Sequence, residues 1–299
     1  MKFDKILDNG SLWAVRYEGD DDNALRKVFA QWNDPEWLWD FFTENMTDLE
    51  SYFKITDLNQ AIYDTIDDSG ELECLILDIS PDADLDLLFR PLENSRTAEM
   101  TLGKEKARLQ NRPEHASWLR LYAIKLERGC YIITGGAIKL THTMRERTHT
   151  LRELSKMEQV RNLLLENGVI DNEGFEDYLH EMWRKEADMK EKALKYLEEH
   201  QSETPSKWRE EAQWRRENRE WLRYSQRIAI LLLSYMKCEG LTQAAMAERI
   251  GCTQQYVSKL LKGTENLTIE TIAKIERATN QKLMAFEALP QWQHGDDYH

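Results

Sequence analysis

The chain has 299 residues, 41% of them hydrophobic, and a net charge of −14 at neutral pH, which together favour two soluble domains over one. The acidic balance argues against a protein that binds nucleic acid over its whole surface, and no apolar run approaches the roughly 20 residues that span a bilayer. The four cysteines lie far apart, so we predict no disulfide framework, no metal site and no cofactor. Without a signal peptide, the chain is predicted to be cytoplasmic.

The charge is distributed unevenly along the chain. Residues 1–99 hold 8 Lys/Arg against 24 Asp/Glu, whereas residues 100–161 hold 13 against 6. Residues 162–221 are acidic again, with 10 against 16, and residues 222–299 are nearly balanced, with 9 against 8. This asymmetry predicts a phosphate-facing surface in the basic segment, flanked by acidic neighbours.

The first third of the chain predicts one strand followed by helices. Ser11–Tyr17 follows a turn and alternates as a strand does. Apolar residues at helical spacing predict helices over Ala24–Leu49, with Pro35 in the first turn of a second piece, and over Leu58–Ile79. Leu85–Leu92 fits either a short helix or an extended connection.

A hairpin and a helix come next. We interpret the polar, basic segment Lys104–Ser117 as a loop. Trp118–Leu126 and Cys130–Leu140 alternate as two strands, and a glycine pair in the second strand predicts a bulge or a close backbone approach. Thr150–Asn167 predicts a helix. This order is typical of an α+β domain with a small antiparallel sheet, which we place at residues 1–173.

The hairpin carries residues suited to RNA chemistry. Alternating positions on adjacent antiparallel strands share a face, which predicts that Arg120, Tyr122, Lys125 and Lys139 lie together. Cleaving RNA through its own 2′-hydroxyl needs a base, an acid and cations that stabilise the phosphorane, with His142 or Tyr122 as proton carrier. The alternative is a solvated basic face that pairs with the acidic N-terminal region. The tentative catalytic residues are Arg120, Tyr122, Lys139, His142 and Arg145. Further cations precede them at Lys104, Lys106 and Arg108.

This region resembles the RelE/HigB family of bacterial ribosome-dependent mRNA-cleaving toxins, over residues 70–165. The residues that carry the resemblance are Arg120, Tyr122, the run Tyr131–Lys139, and the cluster Thr141, His142, Thr143 and Arg145. The resemblance implies mRNA or the ribosome as a partner. The helical part before the hairpin is longer than that family usually has.

Residues 174–221 are rich in Glu, Lys, Arg and Trp and predict a charged helical linker. Apolar residues such as Tyr178 and Met182 predict an amphipathic helix, which Pro205 ends. A second helix then carries Trp208 and Trp214, and we interpret its tryptophans as a packed helical face.

Leu241–Lys262 predicts two short helices joined by a tight turn. Thr242 and Thr253 are suited to cap them, and Gly251 stands where a left-handed residue ends the first helix. The polar face of the second helix suits base edges and phosphates in a major groove. The pattern resembles the DNA-binding helix-turn-helix of the Cro/phage-repressor (Xre) family, here within a domain at residues 222–286 that precedes a tail at 287–299. The predicted DNA-binding residues are Gln243, Thr253, Gln254, Gln255, Tyr256, Ser258, Lys259 and Lys262.

Three hypotheses for the whole chain remain open. In the first, the chain is a transcriptional regulator that binds double-stranded operator DNA as a homodimer, and it is a fusion of a RelE/HigB-like half with a HigA-like antitoxin half. In the second, the N-terminal domain is an active metal-independent mRNA endoribonuclease controlled by its own DNA-binding domain. In the third, the N-terminal domain senses a ligand or protein and has no catalysis. A helical module used only for protein contacts is the alternative to DNA binding.

Overall fold

The computed structural model describes residues 1–78, 85–92, 101–109, 116–127, 129–194 and 207–284. The chain divides into two compact units, Met1–Arg219 and Glu220–His299. Within the described residues, the first unit is α+β and the second is helical. This confirms the predicted fold class, an α+β domain followed by an all-α domain.

The helices begin and end as follows, in chain order: α1 (Ala24–Trp32), α2 (Pro35–Glu44), α3 (Met46–Asp48), α4 (Leu58–Leu77), α5 (Thr148–Glu166), α6 (Asn172–Leu194), α7 (Trp208–Glu217), α8 (Arg219–Glu239), α9 (Gln243–Ile250), α10 (Gln254–Leu261) and α11 (Ile269–Thr279). A π-helical turn follows α3, and a 3-10 turn spans Leu85–Leu87. Short polar side chains start several of these helices. Asn23 and Asp57 each accept hydrogen bonds from backbone N–H groups of the first turn.

The strands are β1 (Lys2–Lys5), β2 (Leu12–Arg16), β3 (Phe89–Pro91), β4 (Gly103–Ala107), β5 (Leu119–Glu127) and β6 (Cys130–Ile138). In the described part of the chain they form one six-stranded sheet in the order β1-β2-β6-β5-β4-β3. The pair β2–β6 is parallel, and the other pairs are antiparallel. The sheet is therefore larger than the small antiparallel sheet predicted, and it is mixed.

Two of these strands differ from the sequence-based predictions. β4 lies in the segment that we interpreted as a loop, and β1 was not predicted. β4 has the sequence GKEKA, in which only Glu105 and Ala107 are buried. One of these two buried positions is a glutamate. The alternation of apolar and polar residues that identifies a strand in a sequence is therefore missing. Pairing with β5, from Gly103↔Lys125 to Ala107↔Leu121, stabilises β4 instead.

The glycine pair in β6 lets helices approach both faces of the sheet. A side chain at Gly136 would clash with Val28 and Trp32 of α1, and one at Gly135 would clash with Glu153 of α5. Since neighbouring strand residues point to opposite faces, α1 and α5 cover opposite sides. The register also shifts between Tyr122 and its neighbour on β5, so the predicted bulge and the predicted close approach are both confirmed.

Part of the predicted linker packs into the first unit. Phe175 and Leu179 of α6 are buried in the core on the α5 side of the sheet. The Phe175 ring meets Phe3 and Trp13 edge-on, with centroids 5.2 and 5.4 Å apart. Burial of these rings ties the start of α6 to β1 and β2.

Helix α7 docks against α1 and α4. Trp208 is 1% exposed and lies 5.9 Å from the Phe29 ring, centroid to centroid. Arg26 of α1 donates two hydrogen bonds to Glu211, and Arg215 binds the buried carboxylate of Glu73. An apolar anchor and ion pairs therefore hold α7 on the first unit. The predicted packed face of this helix is confirmed at Trp208, whereas Trp214 is 43% exposed.

Candidate functional site

Helices α9 and α10 are joined by a turn that the sequence specifies closely. Gly251 adopts the left-handed conformation, with φ 76° and ψ 44°. Its N–H and that of Cys252 both donate to the carbonyl of Ala247, at 2.9 and 3.0 Å. Thr242 and Thr253 then cap the two helices, each accepting from a backbone N–H at 3.2 Å. Gly251 and both caps match the predicted positions.

The apolar faces of α9, α10 and α11 pack together, which leaves the polar face of α10 outward. Met246 and Val257 are completely buried, and Ile275 of α11 is nearly so. The predicted DNA-binding residues that are exposed are Thr253, Gln254, Gln255, Lys259 and Lys262. Gln243, Tyr256 and Ser258 are partly exposed. This face is accessible in the described part of the chain, and its role in base reading remains a prediction.

Helix α8 supports this pair. The Ser225 hydroxyl donates to the Glu265 carbonyl at 2.7 Å, and Arg249 of α9 donates to the Tyr235 hydroxyl at 2.9 Å. Gly263 follows α10 with φ 67°, and a side chain there would strike the backbone of Gln226. Only glycine fits this left-handed position against α8.

Residues 234–284 match the Helix-turn-helix family model. The match supports a DNA-binding regulator of the Xre type, and it covers α9, α10, α11 and the end of α8. It does not extend to the first unit. No curated protein and no solved structure matches the chain.

The first unit, which lies outside the helix-turn-helix match, contains a basic cleft of about 930 Å³. Its walls come from β4, β5, the segment after β6, and α5. We call it the basic cleft because six lysine and arginine side chains line it against a single carboxylate, Glu158, among the residues described there. The lining includes all five tentative catalytic residues, Arg120, Tyr122, Lys139, His142 and Arg145, together with Lys104, Lys106 and Arg108.

Backbone carbonyl groups hold the inner cations of the basic cleft. Arg120 donates to the carbonyls of Ser117 and Leu119, both at 2.7 Å. Lys139 Nζ donates to the carbonyls of Thr141 and His142, both at 2.6 Å. A carbonyl oxygen fixes a cation without neutralising it, so these side chains are positioned while their positive charge is retained.

Burial and the charges of neighbouring cations lower the pKa values of these side chains. Burial, with a further contribution from the nearby Arg108 charge, lowers the pKa of Arg120 to about 10. Burial and the charges of Arg120 and Arg108 lower the pKa of Lys106, and burial followed by Arg120 and Lys106 lowers the pKa of Lys139. The positively charged side chains of the cleft repel one another when no anion is bound. A bound anion relieves that repulsion.

Tyr122 lines the basic cleft with its side chain completely buried. Its hydroxyl has no hydrogen-bond partner among the described residues. Burial raises the pKa of Tyr122 well above its ordinary value, so the phenol stays protonated at neutral pH. Tyr122 can therefore donate a hydrogen bond or a proton there, but it cannot serve as a base.

The rim of the basic cleft is more open. Arg145 and His142 are exposed, and the His142 ring meets Tyr52 edge-on with centroids 4.8 Å apart. Lys104 on β4 binds Glu158 on α5, with Nζ 2.5 Å from Oε2. The rim thus places exposed side chains next to the inner cations, which backbone carbonyls hold in position.

Two features of the basic cleft were not predicted from the sequence. Lys125 does not share the face of Arg120 and Tyr122; its Nζ lies 3.0 Å from Asp86 instead. The odd spacing of three residues from Tyr122 places Lys125 on the other face of β5, so the predicted grouping of all four residues was wrong for Lys125. The α5 wall was also missed: Leu151, Leu154, Ser155 and Glu158. Their spacing of three, four and seven is one helical face and was a usable signal.

In the parts of the chain that the structure describes, no three His, Cys, Asp or Glu side chains come together in a way that could hold a metal ion. None of the described helices is both long enough and apolar enough to cross a bilayer.

Proposed function

We propose that the protein regulates transcription by binding a palindromic operator as a homodimer, with α10 in the major groove. The observation that carries this proposal is the outward polar face of α10 on a capped and packed helix pair. One such domain covers only a half-site, so specific binding calls for two copies. We further propose, from the sequence resemblance, that a HigA-like C-terminal half is fused to a RelE/HigB-like N-terminal half.

The operator proposal is tested with single substitutions on α10. Gln254→Ala and Lys259→Ala are expected to weaken binding of the full chain to duplex DNA from upstream of its own gene. Loss of one base or phosphate contact costs about 1 to 3 kcal/mol. Lys274→Ala is the matched control, because Lys274 pairs with Glu270 within α11 at 2.7 Å. Operator affinity that is equal in all four proteins would refute the assignment of α10 as the reading helix.

A second function, metal-independent cleavage of mRNA in the first unit, is favoured by the basic cleft. Cations that keep their charge are suited to stabilise the phosphorane as the 2′-oxygen attacks and the 5′-oxygen leaves. The 2′-hydroxyl proton passes to a base, for which His142 is the candidate, and the leaving oxygen takes a proton from an acid. Tyr122, which lines the cleft and stays protonated, is the candidate for that second role.

The nuclease proposal is tested by expressing residues 1–219, which end where the first unit ends. We expect growth arrest with cleaved mRNA, relieved when residues 220–299 are supplied separately. Lys139→Ala and Arg145→Ala should abolish the arrest, whereas Arg152→Ala, an exposed arginine of α5 outside the cleft lining, should not. Normal growth and intact mRNA with well-expressed residues 1–219 would leave a regulator without catalysis.

A further inference from the structure

One ion pair joins two walls of the basic cleft. Lys104 Nζ lies 2.5 Å from Glu158 Oε2, so the pair joins β4 to α5 across the cleft wall. Arg161, one turn further along α5, lies 3.9 Å from the other oxygen of Glu158. Lys104 is thus a cleft cation whose charge is met by a carboxylate.

Two of the inner cations have a different kind of hydrogen-bond partner. Arg120 and Lys139 donate to backbone carbonyl oxygens, which hold the side chains in place without neutralising their charge. Glu158 is the one carboxylate among the lining residues. An anion that enters the cleft therefore meets attraction from the inner cations and repulsion from Glu158.

Glu158 stays charged at neutral pH. Its hydrogen bond from Lys104 lowers the pKa of Glu158, and the Lys104 charge acts in the same direction. A phosphate must compete with this carboxylate for the Lys104 ammonium. The pair is partly exposed, with the Glu158 side chain 44% accessible, so solvent screening limits the strength of that competition.

We propose that Glu158 is a positioning residue that withholds Lys104 from bound RNA and so limits how many phosphates the basic cleft neutralises. The inference rests on the proposed RNA-binding role of the cleft and adds a determinant of its affinity. With Glu158 in place, single-stranded RNA contacts the inner cations and the exposed rim arginines but not Lys104. Removing the carboxylate adds Lys104 to the phosphate contacts.

The experiment measures binding of a fluorescein-labelled 2′-O-methyl oligouridine to the full chain over a range of salt concentrations. This probe lacks the attacking hydroxyl, so it is not cleaved. Every protein carries Lys259→Ala and Lys262→Ala, which remove exposed cations of α10 from the signal. The variants are Glu158→Gln, Lys104→Gln, their double variant and Lys139→Gln. Glu166→Gln, at the exposed end of α5, is the control with the same change in charge.

Glu158→Gln is expected to bind up to about five-fold more tightly, the upper range for a partly exposed ion pair. Its log–log salt slope should steepen by about 0.7, the value for one more phosphate contact on a single strand. Lys104→Gln alone should leave the slope unchanged, because Glu158 already withholds Lys104 from the RNA. In the double variant, Lys104→Gln should remove the steepening that Glu158→Gln causes. Glu166→Gln should show neither effect.

Two results would overturn the proposal, and they have different meanings. If Glu158→Gln and Glu166→Gln behave alike while Lys139→Gln weakens binding, the cleft binds RNA but Glu158 has no special position in it. If Lys139→Gln also leaves affinity and slope unchanged, the cleft is not the RNA site, and the proposed nuclease function fails with it.

Discussion

The docked helix α7 and the basic cleft use arginine and lysine in opposite ways. On α7, Arg215 reaches the carboxylate of Glu73, which is buried on α4. In the cleft, Arg120 and Lys139 reach only carbonyl oxygens among the described residues. Both regions lie in the first unit and both place cations next to a folded surface.

This difference separates structural cations from cations available to a ligand. A guanidinium that meets a carboxylate neutralises it and stabilises the contact between two elements. A cation that meets a carbonyl retains its charge. Burial, and after it the repulsion between neighbouring cations, lowers the pKa of Arg120 and Lys139. The α7 contact is therefore expected to contribute mainly to stability, and the cleft cations are those that we propose to bind an anion.

The largest expected effect comes from removing the apolar anchor of α7. Trp208→Ala should lower the free energy of unfolding of the full chain by about 3 to 5 kcal/mol, since it empties a fully buried site beside Phe29. Trp214→Ala, on the same helix with a half-exposed side chain, should cost much less. Urea unfolding followed by circular dichroism measures both. Equal costs would show that α7 is not anchored through Trp208.

Arg215→Ala is expected to cost up to about 3 kcal/mol at neutral pH, because it leaves the buried Glu73 carboxylate without its cation. Burial already raises the pKa of Glu73 against the opposing effect of Arg215, so the variant raises it further. A raised carboxyl pKa in the folded state favours the protonated form of Glu73, which needs no cation. The stability that Arg215→Ala loses should therefore become smaller as the pH falls through that raised pKa. Unfolding measured from neutral to acidic pH tests this. Arg216→Ala, whose partner Asp78 is exposed, should cost under about 1 kcal/mol at every pH.

A smaller effect is expected in the basic cleft at alkaline pH. Anion binding requires the protonated, charged forms of these side chains. Although their pKa values are lowered in the free protein, the side chains are still charged at neutral pH, so the affinity for an anion is highest there. Affinity should fall as the pH rises through the lowered pKa values of Lys106 and Lys139 toward the ordinary lysine value of 10.5. Loss of one charged contact corresponds to roughly 1.5 kcal/mol, or about ten-fold in affinity for the 2′-O-methyl oligouridine. A flat profile up to that pH would contradict the assignment of these cations as the binding groups.

The sequence predicted the second unit more completely than the first. Thr242, Gly251 and Thr253 act through contacts within a few residues, so their caps and turn can be inferred from local pattern alone. The cleft depends on contacts distant in sequence. Strand alternation predicted that Arg120 and Tyr122 share a face, but nothing local showed that β4 would pair beside them.

Local pattern predicted helix α7 and its packed tryptophan face, but it did not identify the elements that α7 packs against. Its charges resemble those of a solvated linker, and only the folded chain brings Arg215 to Glu73, 142 positions earlier. Lys125 is a different case. It stands three positions after Tyr122 on β5, and this odd spacing places the two side chains on opposite faces by strand alternation alone.

The most direct test of the difference between the two regions is the salt dependence of RNA binding. Lys139→Gln in the cleft and Arg216→Gln on α7 remove the same charge from the same unit of the full chain. Lys139→Gln should reduce the log–log slope for the 2′-O-methyl oligouridine by about 0.7, and Arg216→Gln should leave it unchanged. Equal slopes for the two variants would contradict the claim that the cleft cations, and not those paired on α7, are held for an anionic ligand.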